Sequence, residues 1–281
     1  MVAVALETRD RGPDRTGEDP VTFPAPLPRI MVAPNGARRM PADHPELPIT
    51  DDAVIETWRQ CTAAGADGLH LHIRDADGAH LLDAGRYRAL LDRLSAEAPA
   101  GYIQVTSEAA GRYDAAEQQA MVRALRPDHV SVALREMVRR PEDWPQVQDF
   151  YHWAAEAGVA IQHILYDPQE TRSFLDALAD GRIPGRHHLL QLVLGSYAGA
   201  RPDLADLDRH LDYLDGASRH SFDWMLCAFG AEETACLTRA AELGGKVRVG
   251  FENSLLMSDG RAARDNAERV ADVASALALL G

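Results

Sequence analysis

The chain has 281 residues with 46% hydrophobic and 26% charged content, and 43 acidic against 29 basic residues give it a formal net charge of -14. That composition is ordinary for a soluble globular protein, and the acidic balance repels nucleic-acid phosphates and anionic membrane surfaces. Three cysteines without a CxxC spacing argue against a disulfide framework or a zinc knuckle.

The apolar start VAVAL is too short for a signal-peptide core, and no apolar run approaches the roughly 20 residues of a membrane span. A cytoplasmic protein with no nucleic-acid or membrane partner is therefore expected. Residues 7–28 are charged and then proline-rich (PVTFPAPLP) and lack an apolar period, so residues 1–28 read as an irregular N-terminal arm.

From Arg29 onward, apolar runs of strand type alternate with amphipathic helical stretches. The predicted strands are RIMVAP (29–34), DGLHLHI (67–73), GYIQVT (101–106), DHVSVAL (128–134), VAIQHIL (159–165), HLLQLVLG (188–195), SFDWMLC (221–227) and KVRVGF (246–251). In the first helical stretch, TDDAVIETWRQCTAAGA, Thr50 is a predicted N-cap, and Asp51 and Asp52 suit the positive end of the helix dipole. AGA, AGV and LGG, each just before a strand, supply glycine helix stops. Eight consecutive βα units over residues 29–281 predict a single (β/α)8 TIM barrel of the α/β class, since a doubly wound sheet would break the rhythm.

In such a barrel the chemistry lies at the C-terminal strand ends. That rule promotes His70, His72, Thr106, Ser107, Glu108 and Glu252, and it demotes His187 and His188, which begin a strand. On a strand, residues i and i+2 share a face, so His70 and His72 project inward while Leu69, Leu71 and Ile73 face the helices. Arg248, Gly250 and Glu252 share a face of the last strand by the same alternation. The second and eighth strands flank the first, which brings Glu252 within reach of the two imidazoles. An HxH pair in a strand is either a hydrogen-bonded pair or a metal pair, and its position at a barrel strand end favours the metal. Two histidines, a glutamate and an open position make a catalytic zinc arrangement.

These residues resemble the β-keto acid cleavage enzyme family, whose members include 3-keto-5-aminohexanoate cleavage enzyme. The resemblance runs from about Arg29 to the end and rests on APNGARRMPADHPELPIT, AGADGLHLHIRDADG, YIQVTSEAAGRY, LLQLVLG and VRVGFENSL in that order. It implies a zinc-dependent barrel acyltransferase, expected as a homo-oligomer. Such an enzyme condenses a β-keto acid with the co-substrate acetyl-CoA, releasing acetoacetate and a new acyl-CoA. It further implies His70, His72 and Glu252 as metal ligands, Arg248 as a support for the catalytic acidic residue, and Asn35, Arg38, Thr106, Ser107 and Ser131 as substrate contacts.

The sequence departs from the family pattern in four places. The acidic residue that follows the metal glutamate is here Asn253, and an amide cannot act as a general base. Glu108, where the aminohexanoate enzyme has a glycine, is the candidate replacement. Arg38 stands where that enzyme carries an acidic residue for an ammonium, so an uncharged or anionic substrate tail is expected. Arg135 and Glu136 replace small residues near the pocket, to pair with each other or touch substrate. Two other readings remain: a metal-dependent hydrolase of the amidohydrolase type, for which His163 is the available extra ligand, and a non-catalytic barrel that binds a metal or ligand without turnover.

Overall fold

A computed structural model describes residues 25–280. The chain runs β1 (Ile30–Val32), α1 (Asp51–Ala63), β2 (Gly68–Leu71), a short antiparallel hairpin of β3 (Ile73–Arg74) and β4 (His80–Leu81), α2 (Ala84–Glu97), β5 (Tyr102–Thr106), α3 (Ala115–Leu125), β6 (His129–Ala133), the one-turn α4 (Leu134–Met137), α5 (Trp144–Glu156), β7 (Ala160–Leu165), α6 (Pro168–Ala179), β8 (His187–Leu194), α7 (Leu204–Asp215), β9 (Ser221–Ala228), α8 (Glu233–Glu242), β10 (Lys246–Val249) and α9 (Asn266–Ala278). Local signals set many of these ends. Thr50 caps α1 by accepting the Ala53 amide at 3.2 Å. Asp114 and Glu117 form a reciprocal capping box on α3. The predicted stops Gly65, Gly158 and Gly244 all have φ between +73° and +112°, a region that favours glycine.

The eight expected strands close into one parallel barrel in the order β1-β10-β9-β8-β7-β6-β5-β2. Fold class and strand assignment are thus borne out, with β1 flanked by β10 and β2 as the metal argument requires. The hairpin after β2 was not anticipated.

Alternation along the strands divides the interior from the helix-facing core. Leu69, Leu71, Leu190, Leu192 and Leu194 belong to the large cluster that packs strands against helices. The intervening residues face inward in layers, as in a filled barrel. Leu27, Met31, Leu189 and Met225 form a lower apolar plug. Above it lie the buried amides Gln104, Gln162 and Gln191. His70, in register with Gln104 on the neighbouring strand, and Arg248 are buried as well. Residues 1–24 of the expected arm lie outside the described residues, while Leu27 is 3% exposed and its amide donates to Asp223 at 2.8 Å. Among the described residues no helix is long and apolar enough to cross a membrane.

Candidate active site

His70 lies on β2, and its imidazole is tied into a chain of side-chain amides that crosses the barrel. Gln162 Nε2 donates to the Leu190 carbonyl at 3.1 Å, and Gln104 Nε2 donates to Gln162 Oε1 at 2.8 Å. Gln104 therefore presents its oxygen to His70 Nδ1, 2.8 Å away. An oxygen there requires Nδ1 to carry the proton, which leaves the Nε2 lone pair pointing into the site. Burial lowers the His70 pKa to about 3, so the ring is neutral and able to ligate at physiological pH.

The ligand atoms converge. His70 Nε2 is 3.1 Å from His72 Nε2, and Glu252 Oε2 lies 3.7 Å from the first and 3.4 Å from the second. Tetrahedral ligands held about 2.0–2.2 Å from one zinc ion are about 3.3–3.6 Å apart, close to these separations. Glu252 Oε1 is held by the Arg248 guanidinium at 3.0 Å, whereas Oε2 is buried without a hydrogen-bond partner. Burial pushes the Glu252 pKa up, but Arg248 and the two imidazoles outweigh it and hold the carboxyl well below the usual range. An ionised oxygen buried without a partner beside two imidazole nitrogens is costly unless a cation joins them. Among the described residues, His70, His72 and Glu252 form the one group able to hold a metal ion in this way, and its donor set suits a divalent transition metal. Replacing Gln104 by leucine should free the His70 tautomer and weaken metal affinity by roughly 10–100-fold, measured by chelator competition.

Next to this group opens a cavity of about 210 Å³ lined by Arg38, His70, Thr106, Glu108, Ser131, Glu136, Tyr166, Tyr197, Arg248 and Glu252, among others. Glu108 follows β5, where its amide donates to Thr106 Oγ1 at 3.0 Å and fixes the start of the loop. One carboxylate oxygen lies 4.0 Å from His72 Nε2 and the other 3.6 Å from the Arg38 guanidinium. Burial raises the Glu108 pKa, with His72 and Arg38 opposing and Glu252 adding to the rise. Arg38 itself is half exposed and lies 5.3 Å over the Tyr197 ring. Ser131 Oγ is buried without a partner, which leaves it available to a substrate oxygen.

Asn35, Ser107 and Asn253 stand behind the cavity wall, whereas Arg135 and Glu136 line it. Asn35 is fully buried, and its amide donates to the Pro48 carbonyl at 2.9 Å and the His72 carbonyl at 3.4 Å, so it braces a ligand's backbone. Ser107 donates to the Ser131 carbonyl at 2.8 Å. Asn253 Oδ1 accepts from Arg248 at 3.3 Å, while its amide nitrogen is buried without a partner. Arg135 and Glu136 do not pair. Arg135 turns to α6, where it meets Asp167 at 2.9 Å and Glu170, and stacks over Tyr166. Glu136 faces the cavity, accepts the Ala109 amide at 2.9 Å, and is raised to about 7, chiefly by burial.

Several contributors escaped sequence reasoning. Gln104 and Gln162 carry the signal that marked the histidines, a polar residue at an inward position of an apolar run (YIQVT, VAIQHIL). Arg74 carried none. Its buried guanidinium donates to the carbonyls of Asn35, Gly36, Arg39 and Gly78, and so fastens the loop after β1 to the hairpin after β2.

A family model for beta-keto acid cleavage enzymes matches residues 29–281. The chain belongs to this family. It is accordingly an enzyme, and its barrel carries the group described above. One similar protein, from Cupriavidus necator, bears the name 3-oxoadipate:acetyl-CoA acetyltransferase and is 27% identical over 252 residues, covering 88% of this chain and 87% of its own. Another, 3-keto-5-aminohexanoate cleavage enzyme of Acetoanaerobium sticklandii, is 25% identical and covers 87% of this chain and 89% of its own. A third, from Paraburkholderia graminis, is named 3,5-dioxohexanoate:acetyl-CoA acetone transferase and is 25% identical, covering 86% of each chain. Among solved structures, 3-hexulose-6-phosphate synthase from Salmonella typhimurium superposes with a TM-score of 0.57 at 15% identity, over 90% of this chain and 100% of its own. At that identity the likeness shows the barrel alone. Family membership displaces the amidohydrolase reading, and the geometry agrees with this. The His163 ring packs between β7 and the helices, against Tyr151 and Phe174, and takes no part in the metal group.

Proposed function

We propose that this β-keto acid cleavage enzyme is metal-dependent, with zinc at His70, His72 and Glu252, and that it condenses a β-keto acid with acetyl-CoA to give acetoacetate and a new acyl-CoA. The observation that carries the reading is the buried, partnerless Glu252 Oε2 facing two imidazole nitrogens at the edge of the cavity. The names of the Cupriavidus and Paraburkholderia relatives, each an acetyl-CoA transferase acting on an oxo acid, support the co-substrate.

When bound, the ion would supply Lewis acidity to the carbonyl and carboxylate oxygens of the keto acid. The protein's own groups do the rest. Arg248 neutralises Glu252 and fills the cavity floor beside it. Ser131 and Thr106 offer hydroxyls to the substrate oxygens. Glu108 takes the proton from the carbon between carboxylate and ketone, the role that Asn253 cannot fill. The resulting carbanion attacks the acetyl thioester and expels the CoA thiolate. That thiolate adds to the original ketone carbon, and cleavage of the adjacent carbon–carbon bond gives the acyl-CoA and the acetoacetate carbanion, which takes the proton back from Glu108.

Arg38 sets the substrate class. Its half-exposed guanidinium at the cavity rim would repel an ammonium and attract a carboxylate. A β-keto acid with an uncharged or carboxylated tail is therefore the proposed substrate, consistent with the 3-oxoadipate in the Cupriavidus relative's name. Profiling acyl-CoA products over a panel of β-keto acids with zinc-loaded protein tests the reaction itself. In the same assay, kcat/KM should favour a carboxylated keto acid over 3-keto-5-aminohexanoate, and a clear preference for the amine would defeat the charge argument.

A further inference from the structure

Asn266 opens α9, the last helix, and is 1% exposed. Its side chain does not cap that helix, a role filled by Asp265, which accepts the Glu268 amide. It reaches instead to two backbone segments beside the metal group, one leading into Glu252 and the other following β1. Asn266 Oδ1 accepts the Phe251 amide at 2.9 Å, and Nδ2 donates to the Pro34 carbonyl at 3.0 Å. Phe251 immediately precedes Glu252. Pro34 immediately precedes Asn35, whose amide in turn holds the His72 carbonyl. A single amide thus clasps the seam where the first and last strands of the barrel meet.

The turn is also anchored by the Ala33 amide, which donates to the Val249 carbonyl at 2.8 Å, and by the Asn253 and Ser254 amides, which donate to the Gly250 carbonyl at 2.9 and 3.0 Å. β10 ends at Val249, and Gly250 follows at φ +142°, pressed so closely on Ala33 that an added Cβ would lie 2.5 Å from its carbonyl oxygen. The Glu252 amide then returns to the same Ala33 carbonyl at 3.0 Å. Between these two contacts the Gly250–Phe251 peptide is held at its carbonyl by the Asn253 and Ser254 amides and at its N–H by Asn266, a partner from outside the turn. Without that acceptor the Phe251 amide is a buried donor with no partner, and the turn must move to satisfy it.

We propose that Asn266 is a positioning residue for the metal ligand Glu252, acting through the Phe251 amide. The inference rests on the metal-dependent reading above. Its test is zinc affinity of the full-length protein, stripped of metal and titrated with zinc against a chromophoric chelator, with the melting temperature measured in parallel. Asn266→Ala should bind zinc at least about tenfold more weakly, the size of effect expected when a group that orients a ligand is lost. Asn266→Asp keeps the acceptor for Phe251 and, with its buried carboxyl protonated toward the Pro34 carbonyl, a donor to Pro34 as well, so its affinity should stay within about threefold of wild type. Asp272→Asn supplies the control. Asp272 lies on the same helix and accepts from Thr234 at 2.7 Å and from Ser258 and Arg269 at 3.0 Å, with no contact to Phe251. That variant should melt earlier yet bind zinc as wild type does.

Unchanged zinc affinity in Asn266→Ala, or an equal loss in Asp272→Asn, would overturn the proposal. A loss of more than about tenfold in Asn266→Asp would do so as well, and this variant decides the matter alone if Asn266→Ala does not fold. A wild type that binds no zinc would defeat the metal reading and this inference with it. A wild type that binds zinc no better than Asn266→Ala defeats only the inference.

Discussion

His72→Ala protein should purify without stoichiometric zinc and form no measurable acetoacetate from any β-keto acid. The side chain is fully buried and its Nε2 stands 3.1 Å from His70 Nε2 and 3.4 Å from Glu252 Oε2. Removing it deletes one of the three proposed metal ligands. Loss of a group that merely orients a ligand typically costs about 10–100-fold in metal affinity, so loss of the ligand itself should exceed that range. The loss of activity should follow, because in the proposed reaction the ion would gather the substrate oxygens beside the cavity. Metal analysis of protein purified without chelator, alongside the acyl-CoA assay, checks both halves. Stoichiometric metal retained after His70, His72 and Glu252 are all changed to alanine would show that the ion binds elsewhere.

Glu108→Gln should lower acetoacetate formation by about 10²- to 10⁴-fold while leaving metal content intact. The exchange keeps size and shape but removes the ability to accept a proton. In the wild type the raised Glu108 pKa, which burial produces against the pull of His72 and Arg38, also has a visible consequence. A general base acts only when ionised, so kcat/KM should climb with pH through that pKa, and the climb should vanish in Glu108→Gln. Asn253→Asp should be tolerated or activating, since it places a carboxylate beside Arg248, which already donates to the Asn253 side chain. Full activity in Glu108→Gln would rule out Glu108 as the base. A wild type that yields no acyl-CoA with any keto acid would favour the reading as a barrel that binds without turnover, for which Asn253 is the motive.

Much of the site could be read from the chain because strand alternation is a local rule. In GLHLHIRD it sends His70 inward and Leu69 and Leu71 outward without reference to any other residue, and the packing follows that division. The same rule worked less directly for Glu252. The strand ends at Val249, and the glutamate reaches the ion site from a turn begun by Gly250, not from a continued strand face. The family resemblance implies Asn35 and Ser107 as substrate contacts. Their side chains are instead hydrogen-bonded to backbone carbonyls behind the cavity, a choice that depends on which carbonyls the neighbouring strands present.

The sequence by itself determined the βα rhythm, the barrel, the inward face of each strand and the HxH pair, since periodicity, caps and glycine stops act over a few residues. Only the tertiary structure decided which distant groups meet. Closure of β10 against β1 brought Glu252 to His72. The cross-barrel amide chain from Leu190 through Gln162 and Gln104 fixed the His70 tautomer, and the pull of Asp167 and Glu170 drew Arg135 away from Glu136. These pairings join residues on separate strands and loops, where the partner is set by register and by which buried polar group would otherwise be left unpaired, and neither is written in a local pattern.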